Sequence, residues 1–218
     1  MGRGYRYWGR NAVSMLGMML AGSAGITLFY AVMDRTLDNI WIFQVLIFIF
    51  LGIWFLAEAA RAGRVLSVGV MFSMTRNGSF RGMQFMLILG LLLTELVQLL
   101  MLPLPFEYPV VQRLVVYYTP AVGLFLGGIG YFTALVEKHS RKLYTVFITG
   151  LFILAGTCAG FIGAILAGES GLVGNHFQKR GEMLEGKTAV IALAVSAAVY
   201  VTGAWRYERA FRDMDITV

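Results

Sequence analysis

The sequence predicts an all-α membrane protein that crosses the bilayer six times, with both termini in the cytoplasm. Apolar residues make up 58% of the 218 residues and charged residues only 14%, against roughly 25% charged residues in an average soluble domain. The charges fall in clusters that separate apolar runs of about 20 residues, the length that a helix needs to cross a bilayer. None of these runs alternates as a barrel strand would, so helices are the expected spanning elements.

The six runs make up one transmembrane domain that covers residues 1–218. Their predicted bounds are Asn11–Met33, Ile40–Ala62, Met83–Leu104, Val110–Val136, Leu143–Ala167 and Thr188–Trp205. The first run follows several arginines, as the apolar part of a signal peptide does, but its apolar stretch continues to Val32. That length exceeds a signal sequence, so we expect the first run to be retained as a span.

Lysine and arginine predict the orientation, because short cytoplasmic loops carry an excess of both. Most of the 18 basic residues fall in the two tails and in the second and fourth connections: Arg3, Arg6, Arg10, Arg61, Arg64, Arg76, Arg81, Lys138, Arg141, Lys142, Arg206, Arg209 and Arg212. These segments are therefore expected inside, in a multi-pass protein of the cytoplasmic membrane. The net charge of +6 is interpreted as a topology signal, and nucleic acid is not an expected partner.

Motifs for catalysis or metal binding lack the context that they need. Residues Gly181–Thr188 match the phosphate-loop pattern G-x-x-x-x-G-K-[ST], which requires a preceding buried strand. Here the match precedes a predicted span on the outer side, and Glu182 and Glu185 would repel phosphate. The two histidines, His139 and His176, fall on opposite sides, and neither has a second ligand at metal-binding spacing. We expect no catalytic residue, metal or cofactor in this chain.

The third predicted span contains an ionisable residue, Glu95, with Thr94 beside it and Gln98 one turn later. A carboxylate inside the bilayer is costly unless it faces the helix bundle or a wet cavity. Two interpretations stay open. These residues line a substrate path or a proton site, or they form a hydrogen-bonded contact between helices.

Other polar residues of the spans are predicted to have structural roles. Gln44 and Gln84 are expected to hydrogen bond between helices. Glu58 lies near the inner end of the second span, where it is expected either to pair with Arg61, one turn away, or to extend its carboxylate to the membrane surface.

Small residues predict where helices approach closely, because a missing side chain lets two backbones meet. Gly123 with Gly127 and Gly156 with Gly160 have helical spacing and are assigned to helix packing. The single cysteine, Cys158, lies in an apolar run and excludes an internal disulfide.

The second connection ends in the stretch Ser73–Gly82, which reads Ser-Met-Thr-Arg-Asn-Gly-Ser-Phe-Arg-Gly just before the third span. A polar outer stretch, Gly168–Lys187, precedes the last span, and the aromatic and basic stretch Trp205–Arg209 follows it. With six spans and both ends inside, this plan resembles the type-2 ATP-binding-cassette permeases, the membrane subunits of bacterial drug, bacteriocin and peptide exporters.

The resemblance implies a segment that couples the chain to an ATPase. It comprises Met74, Thr75, Arg76, Asn77, Gly78, Ser79 and Phe80. Phe80 would be the apolar anchor in the partner and Arg76 the polar contact, since aromatic residues and arginine dominate many interfaces. The resemblance also implies that ATP and magnesium bind to a separate ATP-binding subunit, and that a second permease copy or a homologous permease completes the exporter.

The sequence therefore favours a permease subunit of an ATP-driven exporter for a hydrophobic or amphipathic substrate, without enzymatic activity of its own. One alternative is an ion- or proton-coupled carrier or channel that uses Glu95. Another is a membrane scaffold subunit that transports nothing. A requirement for an ATPase partner separates the first function from the other two.

Overall fold

The computed structural model describes residues 3–34, 41–63, 75–103, 109–140, 142–146, 149–150 and 186–212. Its long helices are α1 (Arg3–Asp34), α2 (Trp41–Ala60), α3 (Arg76–Met101), α4 (Pro109–His139) and α5 (Lys187–Arg212). All five are long and apolar enough to cross a membrane. The prediction of an all-helical, multi-pass membrane protein is confirmed. Most of the predicted fifth span, including Gly156, Cys158 and Gly160, lies outside the described residues.

Three helices extend past the predicted apolar runs by a turn or more. α1 begins at Arg3 rather than Asn11, α3 begins at Arg76 rather than Met83, and α5 continues to Arg212 rather than ending at Trp205. Hydropathy marks the part of a helix that suits hydrocarbon, whereas backbone hydrogen bonding continues into the polar turns beyond it. The predicted bounds therefore describe the apolar part of each helix rather than the whole element.

The new bounds of α3 change the depth of Glu95. Only six residues of α3 follow it before the helix ends at Met101, which places it about 9 Å from that end at 1.5 Å per residue. It lies in the last third of the helix.

Contacts between α1 and α3 advance in the same direction along both helices. The ring of Trp8 lies over Gly82, and Asn11 donates a hydrogen bond to the sulfur of Met86 at 3.1 Å. α1 and α3 are therefore parallel.

Contacts of α4 also advance together with those of its two main neighbours. Along α2, Leu51 lies at Gly123 and Ala59 lies at Gly130. Along α5, Tyr200 lies at Gly128, and Tyr207 packs on Tyr131. Tyr131 comes about one turn after Gly128 in α4. α2, α4 and α5 are therefore parallel to one another.

Helices α2 and α3 run in opposite directions. Trp54 of α2 lies over Gly90, whereas Gln44, earlier in α2, is bonded by Gln98, later in α3. At one end of the bundle α1 and α3 therefore begin and α2, α4 and α5 end. The exposed arginines of these helices and their ends gather there: Arg6, Arg10, Arg61, Arg81, Arg206 and Arg209. We call this the arginine-rich end.

Helix α4 is the centre of the bundle and packs most extensively against α2 and α5. A Cβ atom at Gly128 would lie 2.8 Å from the backbone nitrogen of Tyr200, and one at Gly130 would lie 2.7 Å from the Cβ atom of Ala59. Only glycine permits these approaches, because side-chain carbon atoms need more than 3 Å. Gly127 also lies at a helix contact, where an added Cβ would be 2.9 Å from the ring of Phe55.

Candidate functional site

Gln84 joins three helices through its side-chain amide. Its nitrogen donates a hydrogen bond to the hydroxyl of Tyr131 in α4, and its oxygen accepts one from the hydroxyl of Tyr200 in α5. The ring centroids of the two tyrosines are 5.8 Å apart in an edge-to-face arrangement, which is favourable for aromatic pairs. We call these three residues the glutamine–tyrosine node. Because both ends of the amide are bonded, the node fixes how α3 is rotated against α4 and α5.

Further aromatic rings surround the node at the arginine-rich end. Tyr207 packs on Tyr131 with ring centroids 5.6 Å apart, and Phe211 stacks on Tyr207 at 6.3 Å. All of these rings are buried. The tyrosines were not among the residues predicted from the sequence to be functional. A phenol in the middle of an apolar run nevertheless indicates a hydrogen-bond partner, since a buried hydroxyl needs one.

The described residues of the expected coupling segment form the start of α3 rather than a separate element. Thr75 caps the helix, and its hydroxyl accepts a hydrogen bond from the backbone N–H of Gly78 at 3.0 Å, as threonine commonly does at this position. Thr75 and Asn77 are exposed and Arg76 is partly exposed. Met74 lies outside the described residues.

Phe80 has a different environment from the one expected of an anchor in a partner subunit. Only 6% of Phe80 is exposed, and its ring centroid lies 6.2 Å from that of Tyr131. Ser79 is also buried. Phe80 precedes Gln84 by four residues, so both side chains lie on one face of α3. The four-residue spacing of Phe80 and Gln84 is present in the sequence, and it indicates that Phe80 packs within the helix bundle of this chain rather than in a partner.

A second group of polar side chains lies where α3 meets α2, far from the arginine-rich end, and comprises Gln44, Gln98 and, one turn before Gln98, Glu95. The amide nitrogen of Gln98 donates to the backbone carbonyl of Gln44 at 3.1 Å. Gln44 is 1% exposed and Gln98 is fully buried. Among the described residues, no hydrogen-bond partner reaches the Nε2 atom of Gln44, the Oε1 atom of Gln98 or the Oε2 atom of Glu95. We call these three residues the α2–α3 polar cluster.

Glu95 stands at the border between the bundle and the exposed face of α3. The exposed residues Leu92 and Leu99 lie three and four residues from it along the helix, on the same side. Glu95 itself is half-buried. Thr94 was predicted to belong to the same polar site as Glu95. Its hydroxyl instead donates a hydrogen bond to the backbone carbonyl of Gly90 at 2.8 Å.

The structure describes the remaining candidates only in part. Glu58 pairs with Arg61 at 3.7 Å, as predicted, and Arg61 is 54% exposed. Gly186, with a φ of 72°, leads into α5 at the exposed Lys187, while the phosphate-loop residues before Gly186 lie outside the described part. Within the described ranges, no three histidine, cysteine, aspartate or glutamate side chains are grouped so as to hold a metal ion.

No protein family, curated protein or solved structure matches this chain significantly. The function of this chain is therefore inferred from the residues of the two polar groups and of the first turn of α3.

Proposed function

We propose that this chain is the membrane-spanning permease subunit of an ATP-driven exporter for a hydrophobic or amphipathic substrate, energised by a separate ATP-binding subunit. The observation that carries the proposal is the connection from the first turn of α3 to α4 and α5. Phe80 packs on Tyr131, and Gln84 bonds Tyr131 and Tyr200. A displacement of the exposed start of α3 is therefore transmitted to α4 and α5. A permease that is driven by a separate ATP-binding subunit requires such a connection.

The helix directions support six spans with both ends on one side. α4 and α5 are parallel, so a chain that leaves α4 has to cross the membrane again before it enters α5. The span predicted at Leu143–Ala167 would be that crossing. The arginine-rich end is the cytoplasmic end, because positive residues are retained on that side.

Recognition and transmission are separate tasks in this proposal. The ATP-binding subunit, on the cytoplasmic side, contacts the exposed residues Thr75 and Asn77, with Arg81 close by on the next turn. Phe80 and Gln84 transmit the motion from inside the bundle. A second copy of the chain, or a homologous permease, completes the exporter.

The test is copurification of an ATP-binding subunit with the tagged chain, together with the ATP hydrolysis rate of the complex. Asn77→Trp is expected to weaken copurification, because it obstructs the proposed contact. Gln84→Leu is expected to retain the subunit but to lower the influence of the permease on its ATP hydrolysis. Gly17→Ala is the control, since an added Cβ at Gly17 meets nothing within 4 Å. Absence of any ATP-binding subunit from the native complex would refute the exporter.

The orientation has its own test by cysteine labelling in a Cys158→Ala background. A cysteine at the exposed Asn77 should react with an impermeant maleimide only after permeabilisation, and one at the exposed Lys187 should react in intact cells. The reverse pattern would invert the topology.

A carrier coupled to protons or ions is the second candidate, and the unpartnered Oε2 atom of Glu95 favours it. Such a carrier would collapse an imposed ion gradient in vesicles that contain the purified chain alone, and Glu95→Gln would abolish the effect. A chain that neither copurifies with an ATP-binding subunit nor moves ions would be left with the scaffold role.

A further inference from the structure

We propose that the α2–α3 polar cluster binds the ammonium group of an amphipathic cation whose apolar part lies along the exposed face of α3. This inference deepens the proposed function, since it names the class of substrate that an exporter of this kind would take. Binding itself needs only Gln44, Glu95, Gln98 and the apolar residues beside them.

The hydrogen-bonding capacity of the cluster calls for a donor. The side-chain nitrogen of Gln98 donates to the backbone carbonyl of Gln44, which orients the Gln98 amide. The unpartnered atom of Gln98 is therefore its side-chain oxygen, an acceptor. The unpartnered oxygen of Glu95 accepts hydrogen bonds when the carboxyl is ionised. The unpartnered atom of Gln44 is its amide nitrogen, a donor, and a half-turn of the last side-chain bond would place the amide oxygen there as a third acceptor. An ammonium group has three donors and no acceptor.

The charge of Glu95 selects a cation over a neutral donor. A carboxylate removed from water is strongly unfavourable without a counter-ion. The ion pair between Glu58 and Arg61 lies at the arginine-rich end, and Glu95 has no such partner among the described residues. A bound ammonium group would supply the missing charge, whereas an alcohol would not and an anion would be repelled.

The surroundings of Glu95 select an amphipathic ligand. Ile88, Leu92 and Leu99 are exposed on the side of α3 that borders Glu95, so apolar surface continues directly from the cluster. Glu95 also lies about 9 Å from the end of α3, within the depth of one leaflet. A molecule with one cationic group and an apolar chain satisfies both the cluster and this face from within the lipid.

The experiment measures binding of radiolabelled dodecylamine, which is protonated at neutral pH, to the purified chain in phosphatidylcholine nanodiscs. Equilibrium dialysis against empty nanodiscs separates saturable binding from partition into lipid. Saturable binding is expected for the native chain, and it should be weakened about tenfold or more in Glu95→Gln and less in Gln98→Leu, as for the loss of hydrogen bonds to a charged group. Glu58→Gln is the matched carboxylate control and should bind like the native chain.

Dodecan-1-ol, which has the same chain without the charge, should show no saturable binding. Equal saturation by the alcohol and the amine would refute a cation site, and so would an absence of saturable amine binding. Unchanged amine binding by a folded Glu95→Gln variant would also overturn the proposal. Because the assay contains no ATP-binding subunit, its outcome is independent of the copurification test. Saturable amine binding together with a failed copurification would refute the exporter and leave the site intact.

Discussion

Two glutamines of the same helix show how differently the two halves of the bundle are built. Gln84, near the arginine-rich end, has both ends of its amide bonded by tyrosines from two other helices. Gln98, near the opposite end, is fully buried, whereas Gln84 is only partly buried, and the oxygen of Gln98 has no partner among the described residues. Buried polar groups are nearly always bonded in folded proteins. The glutamine–tyrosine node is therefore held by bonds between its own residues, whereas Gln98 keeps an acceptor without a partner among the described residues.

The strongest way to break this contrast is to separate the helices of the first half. Gly128→Ala places a Cβ atom 2.8 Å from the backbone nitrogen of Tyr200, which cannot move aside as a side chain would. We expect a loss of about 3 kcal/mol in the free energy of unfolding, the upper part of the usual range for overpacking. Unfolding by sodium dodecyl sulfate in mixed micelles measures it.

The matched control is Gly25→Ala in α1, where an added Cβ meets nothing within 4 Å. It should leave stability unchanged or raise it slightly, since alanine favours a helix over glycine. Equal effects of the two substitutions would contradict the close contact of α4 and α5.

The same substitution at the two glutamines compares the halves directly. Gln84→Leu leaves the buried hydroxyls of Tyr131 and Tyr200 without this partner, which we expect to cost about 2 kcal/mol. Gln98→Leu removes one hydrogen bond and also one unpartnered oxygen, so its cost should be below about 1 kcal/mol. The difference in unfolding free energy between the two variants is the quantity to measure. A larger loss for Gln98→Leu would reverse the contrast.

A smaller effect is expected where the arginine-rich end meets solvent. The pair between Glu58 and Arg61 is 3.7 Å long, and Arg61 is more than half exposed. Glu58→Ala should therefore change the unfolding free energy by about 0.5 kcal/mol, as is usual for exposed ion pairs. The difference in unfolding free energy between the native chain and Glu58→Ala should be smaller at high salt than at low salt, because salt screens the pair. A salt-independent loss above about 1 kcal/mol would show that Glu58 has a further buried role.

The smallest effect is expected at Glu95. In the absence of a ligand, Glu95→Leu should be at least as stable as Glu95→Gln, since no partner among the described residues is left unsatisfied by leucine. Parallel unfolding curves of the two variants test this. A leucine variant less stable by about 1 kcal/mol or more would mean that Glu95 has a bonded partner in the free chain, and the polar cluster would then be part of the scaffold.

The number and approximate place of the described spans were predictable, because long apolar runs determine them. The ends of α1 and α3 were not, since hydropathy does not register polar turns that stay helical. Periodicity placed Gln84 and Gln98 on helices but could not say which helices meet there, so Tyr131 and Tyr200 went unnoticed and the backbone of Gln44 was not recognised as an acceptor. Phe80 was assigned to a partner because Ser73–Gly82 was predicted to belong to the connection before the third span rather than to the helix of that span.

The parallel contact of α4 with α5 also fixes an order of assembly. The chain is made from its N-terminus, so α1 to α4 can enter the membrane and pair while α5 is still inside the ribosome. Tyr200 and the backbone that covers Gly128 arrive only with α5. Until then the amide oxygen of Gln84 lacks its phenol partner and the glycine face of α4 is bare. The half of the bundle that is most firmly held in the finished protein is thus the last to be closed during its synthesis.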